Sequence, residues 1–110
     1  MEARLASDVW VRAYLRRLEL ANIPAYVTAR GDATSGAVLV KCATLDGAAV
    51  LWTRGYDLAS GARRWSEMAR GPEAEIDLHV KKQRGFDPDL WVIEIEARDG
   101  RTLLDEDGLA

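Results

Sequence analysis

From Leu90 to Ala97 the chain alternates sides with period two: Trp91, Ile93, Ile95 and Ala97 fall on one face of a strand, while Val92, Glu94, Glu96 and Arg98 fall on the other. An apolar row of this kind has to be covered, so the ribbon anchors a sheet and demands amphipathic partners. Two segments supply them. In the first, Ser7 reads as an N-cap with Asp8 in the first turn, and Trp10, Val11, Tyr14, Leu15 and Leu18 recur at helical spacing until Asn22 and Pro24 stop the helix near Ala21. In the second, Gly71-Pro72 opens a helix with Glu73, Glu75 and Asp77 at its positive end and Lys81, Lys82 and Arg84 at its negative end. Gly85 ends it, and the inward stripe runs through Ile76, His79, Val80 and Gln83.

Between the helices the period changes to two. Ala25 to Arg30 reads as a strand, Gly31 to Gly36 as a polar turn, and Ala37 to Thr44 as a returning strand with Val38, Val40 and Cys42 on one face and Leu39, Lys41 and Ala43 on the other. Asp46-Gly47 is a tight-hairpin signal that pairs Ala48 to Thr53 with it, giving a three-strand meander. Residues 54–61 read as a loop, and Arg63 to Arg70 as either a charge-protected edge strand or a short irregular helix. Asp99-Gly100 sends Arg101 to Leu104 back as a final strand, and the acidic tail from about Asp105 frays. Runs of strands between helices, without strict alternation, predict an α+β domain over residues 1–110: two helices on one face of a four- to five-stranded, mainly antiparallel sheet.

Composition removes several classes of function. No apolar run approaches the ~20 residues of a membrane span, and the amino end Met1-Glu2-Ala3-Arg4-Leu5 lacks the pattern of a secretory leader, so a cytoplasmic location without membrane association is expected. One cysteine, Cys42, and one histidine, His79, exclude a disulfide framework and intrachain cysteine- or histidine-built metal sites. Phosphate-cradling glycine loops, a GxSxG nucleophile elbow and HExxH are all missing, so no cofactor, metal ligand or catalytic residue is assigned. An enzyme would have to use Asp87, Asp89, Glu94 and Glu96. Glu94 and Glu96 lie on one strand face roughly 7 Å apart, which suits a hard cation or an acid–base pair but equally describes the solvent side of an ordinary strand.

What remains is binding. Residues 1–70 hold ten Lys/Arg against seven Asp/Glu, and residues 71–110 five against eleven, a polarity within the net −3 that suits self-association or a protein partner. Four tryptophans, Trp10, Trp52, Trp65 and Trp91, are many for this length, and their first use is core packing. Trp65, beside Arg63 and Arg64, is the best candidate for an exposed aromatic at an association surface. The turn former Phe86-Asp87-Pro88-Asp89 has two readings: Phe86 packs into the core while the aspartates cap backbone amides, or Asp87 and Asp89 receive a basic group from a partner. The favoured function is therefore non-catalytic protein association, including homodimerisation, through Arg63, Arg64 and Trp65. The alternative is RNA or other nucleic-acid binding through Arg12, Arg16, Arg17, Arg63, Arg64 and Arg70 with Tyr14 or Trp65 as stacking partner; a sequence pI near 5.1 stands against it.

The run FDPDLWVIEIE (residues 86–96) followed by Asp99-Gly100-Arg101 resembles the end of a family of small bacterial proteins, domain of unknown function 1491. Trp10-Val11 with Ala13, Leu15, Arg16 and Arg17, and Gly36 with Leu39-Val40-Lys41, resemble the same family. The resemblance implies a stand-alone intracellular bacterial domain and carries over no activity, substrate or catalytic residue.

Overall fold

The computed structural model describes residues 5–110; the first four residues of the leader argument lie outside it. Helix α1 spans Ser7–Leu20 and α2 spans Glu73–Phe86, and the strands are β1 (Ala25–Ala29), β2 (Val38–Ala43), β3 (Ala48–Tyr56), β4 (Arg63–Pro72) and β5 (Trp91–Glu96). They form one sheet in the order β1-β5-β2-β3-β4, antiparallel except for the parallel β2/β5 pair. The α+β class, the two helices and the five-stranded, mostly antiparallel sheet are as the sequence predicts.

The helices, however, do not share a face. In the β2/β5 register Val38, Val40 and Cys42 lie beside Trp91, Ile93 and Ile95, and this row buries Trp10, Val11, Tyr14 and Leu18 of α1. The opposite face brings Leu39, Ala49 and Leu51 under Ile76 of α2, with Leu90. The reason is β2. All six of its residues are buried, so the central strand needs cover on both sides, and one helix goes to each. His79 is displaced from the expected inward stripe: it and Phe86 are exposed, and the seam of α2 runs through Ile76 with half-buried Val80 and Gln83.

Insertion of β5 also reorganises the strand pairing. β1 and β2, expected as a hairpin, are separated by β5, and the meander is β2-β3-β4 instead. Because both edges of β5 are then taken, by β1 and β2, residues 101–104 cannot return along it as a strand. They run as coil against α1: the Tyr14 hydroxyl donates to the Thr102 carbonyl at 2.8 Å, and Leu103 and Leu104 are buried. The tail continues this packing where fraying was expected, since Leu109 is 1% exposed and Arg17 donates to the Asp107 carbonyl at 2.6 Å. Burial carries the Tyr14 phenol well above its ordinary pKa, so it remains a donor throughout the range in which the protein is folded. Tyr14→Phe should cost about 1 kcal/mol in urea unfolding, because it leaves a part-buried carbonyl without that partner while keeping the ring.

The Asp46-Gly47 hairpin forms as read, with Gly47 at φ +89°. The following loop is shorter than expected, because Arg54, Gly55 and Tyr56 extend β3 and pair with Trp65, Arg64 and Arg63. The true turn starts at Asp57, whose carboxylate accepts from the Ala59 amide (3.0 Å) and the Ser60 hydroxyl (3.0 Å), bonds that hold its pKa below the usual range. β4 is thus the edge strand of the two options, with alternating charges including the Arg70–Glu67 ion pair. Ser7 does not cap α1. The N-cap is Ala6, and the Ser7 side chain donates to the Gly36 carbonyl at 2.6 Å.

Candidate interaction groove

Trp65 sits on the α1 face of β4 opposite Arg54. Its ring lies 5.4 Å from that of Trp10, its indole N–H donates to the Leu109 carbonyl at 2.7 Å, and the Arg54 guanidinium stands 5.2 Å from its ring and 4.9 Å from that of Trp10. These contacts make Trp65 half-buried: it is a wall of the structure, not the free aromatic that the sequence suggested. Its neighbours are the accessible part. Arg64 is exposed and Arg63 half-exposed.

All three residues line one open groove of about 840 Å³ between β4 and the carboxyl-terminal segment. Arg101 adds a third guanidinium, and Asp105, Glu106 and Asp107 bring three carboxylates from the tail. Trp52, Trp65 and Leu104 contribute apolar surface between the charges. Sequence reading missed Arg101 and the acidic tail because it treated residues 101–104 as a strand and the rest as frayed. The signal available was Leu109, an isolated leucine after four polar or glycine residues, which packs when the segment has a surface to lie on.

Asp87 and Asp89, the other two candidates, are far from this groove in chain position and lie in a junction made of backbone. Asp87 Oδ1 accepts from the Asp89 amide at 3.1 Å, and the Asp89 carbonyl accepts from the Asp32 amide at 2.9 Å. The Trp91 indole donates to the Asp32 carbonyl at 2.7 Å, and Arg84 donates to the Pro88 and Leu90 carbonyls at 2.8 and 2.7 Å. Asp32 in turn takes the Ser35 and Thr34 amides and the Ser35 hydroxyl, which together hold its carboxyl below the ordinary range. The FDPDLW segment is thereby the seat of the loop from Gly31 to Gly36, with the Asp87 side chain forming the turn and Asp89 contributing its backbone amide and carbonyl. Phe86, expected in the core, is 75% exposed.

The carboxylates considered for catalysis also separate by environment. Glu94 faces Lys41, whose ammonium is almost fully buried and contacts Asp77 at 2.6 Å, Glu73 at 2.7 Å and Glu94 at 3.1 Å. Burial pulls the Lys41 pKa down, but the hydrogen bonds its ammonium donates to Asp77, Glu73 and Glu94 outweigh it and the net shift is upward. A lysine held this firmly charged with its three donors engaged is a clamp between β2, β5 and α2, and it is neither a base nor a nucleophile. Glu96 lies beyond the clamp, opposite Ala43. Cys42 is buried against α1, and burial pushes its thiol pKa up, the opposite of what a reactive thiolate requires. Among the described residues no group of three His, Cys, Asp or Glu side chains could hold a metal ion, and no helix is long and apolar enough to cross a membrane.

The sequence profile of a family described as a protein of unknown function, DUF1491, matches residues 5–105. Among solved structures, the crystal structure of a DUF1491 family protein from Caulobacter crescentus CB15 is 40% identical, covers 93% of this chain and 94% of its own, and superposes with a TM-score of 0.81. An NMR structure of a DUF1491 family protein from the same organism is likewise 40% identical, with 96% of each chain covered and a TM-score of 0.82. The solution structure of protein Atu0922 from A. tumefaciens is 31% identical, with 86% and 87% covered and a TM-score of 0.73. No curated protein matches the chain.

Proposed function

The chain belongs to the DUF1491 family of proteins of unknown function, and from its own surface we propose a non-catalytic protein-association module that takes an extended segment of a partner protein in the groove beside β4. The observation that carries this reading is the pairing of charges over apolar surface: Arg63, Arg64 and Arg101 with Asp105, Glu106 and Asp107, above Trp52, Trp65 and Leu104. Such a groove matches a polypeptide carrying one acidic and one basic side chain around an apolar residue, where the central apolar contact anchors and the charges set register. A uniformly anionic polymer matches it less well, since three carboxylates share the groove with the arginines. Of the two stacking partners that nucleic acid would use, Tyr14 is fully buried and Trp65 is engaged by Trp10 and Leu109.

Placing a photo-crosslinking p-benzoyl-phenylalanine at the exposed Arg64 in the native cell tests this. A discrete protein adduct that Arg101→Glu abolishes is the expected result. An adduct that ribonuclease digests, or none above the level of the same probe placed at exposed Leu58, overturns the proposal in favour of RNA or of no ligand here.

A further inference from the structure

On the opposite side of the sheet, α2 presents an outer face that the other described residues leave uncovered. With Ile76 and Val80 turned inward, the 3.6-residue period brings Ala74, Leu78, Lys82 and Gly85 to the outer surface, flanked by Glu75 and Phe86. Leu78 and Phe86 are 67% and 75% exposed, large values for apolar side chains on a regular helix. A shallow depression of about 290 Å³ runs along this face, lined by Glu75, Leu78, His79 and Lys82.

We infer that this face pairs with the same face of a second copy of the chain, the two α2 helices lying antiparallel. The charge pattern selects both the occupant and the direction. Glu75 and Lys82 are seven positions apart, about 10.5 Å along the axis and too far to pair within one helix, and neither has an ion-pair partner among the described residues. Turning a second helix antiparallel about a two-fold axis between residues 78 and 79 brings Glu75 of each copy to Lys82 of the other, so one symmetric contact makes two ion pairs. The same register sets Leu78 of each copy opposite His79 of the other, between the two ion pairs, and both residues line the depression. A parallel pair would place Glu75 against Glu75 and is excluded by like-charge repulsion. The 14-residue helix is only about 21 Å long, so the contact is smaller than the ~1,200 Å² typical of stable complexes and the dimer forms at high protein concentration.

Sedimentation equilibrium from about 10 μM to about 1 mM protein provides the test. Wild type is expected to shift from monomer towards dimer across this range. Glu75→Lys and Lys82→Glu should each weaken dimerisation by at least about tenfold, because every single reversal creates two like-charge contacts. The double variant, Glu75→Lys with Lys82→Glu, should restore it. Both positions are exposed, and the circular dichroism of the three variants should match wild type. A strict monomer at the top concentration, or a dimer indifferent to the single reversals, overturns the inference, as does failure of the double variant to recover. The groove beside β4 is on the other face, so crosslinking at position 64 reports on the proposed function independently of this result.

Discussion

Gly31→Ala should destabilise the protein by about 3 kcal/mol or more, and with it dissolve the near-ultraviolet signal of Trp91. A β-carbon at position 31 would stand 2.1 Å from the Asp89 carbonyl oxygen, 2.6 Å from Cδ1 of Trp91 and 2.7 Å from the Trp91 amide nitrogen. Two of these three atoms are backbone, so no rotamer change relieves the overlap; the loop and the Asp87–Trp91 segment have to move apart. Their separation would break the Asp32 amide to Asp89 carbonyl bond and the Trp91 indole to Asp32 carbonyl bond at once. Because the same loop supplies the Ala33 and Thr34 carbonyls that accept the first amides of α1, the damage spreads to the helix. Gly36→Ala should behave similarly, with the Asp89 carbonyl at 2.4 Å. Gly85→Ala is the control: nothing lies within 4 Å of its β-carbon, it is inside α2, and the substitution should stabilise by about 0.5–1 kcal/mol. Urea midpoints of the three variants separate close approach from a general effect of removing glycine. Equal and small changes at 31 and 85 would show that the junction is looser than its distances imply.

That junction also explains what was readable in the sequence and what was not. β5 announces itself because one face of it is a continuous apolar row and the other carries Glu94 and Glu96, so period two survives into the folded strand. Helix α1 is legible for the same reason, since Trp10, Val11, Tyr14 and Leu18 all point to one core. Partnership was not legible. Nothing in Ala25 to Ala29 indicates that its neighbour is β5, sixty-odd residues away, in preference to β2 directly after it, and the pairing follows from the global demand that β5 be central. Helix placement failed similarly, because Leu39 and Leu51 look like ordinary strand residues until β2 is seen to be buried on both faces. As for the groove, Arg63, Arg64 and Trp65 were named from local composition, whereas Arg101 and the acidic tail join them only through Tyr14, Arg17 and Leu109, contacts of long sequence separation. The clue to the clamp was Lys41 itself, a charged residue inside the apolar run VLVKCA, which requires carboxylates to meet it.

Lys41→Met should cost about 2–3 kcal/mol in urea unfolding at neutral pH although methionine keeps most of the buried volume. The loss is electrostatic. Three carboxylates converge on one ammonium, and without it Glu73, Asp77 and Glu94 repel one another across the α2–sheet interface. All three retain some water contact, which places the cost below that of a fully buried orphaned charge. Adding Glu94→Gln, at the least exposed of the three, should recover about 1 kcal/mol, a coupling that a double-mutant cycle measures directly. The pH dependence has a defined sign. Since the folded-state pKa of Lys41 lies above its unfolded value of ~10.4, the clamp contributes fully below that value and is lost as pH rises through the higher folded pKa. Wild type should therefore lose more stability than Lys41→Met between about pH 10 and the onset of alkaline unfolding, so the gap between them narrows there. A gap that stays constant through that range would mean that Lys41 acts by its methylene packing, and the ammonium contacts with α2 would then contribute nothing to how the helix is held on the sheet.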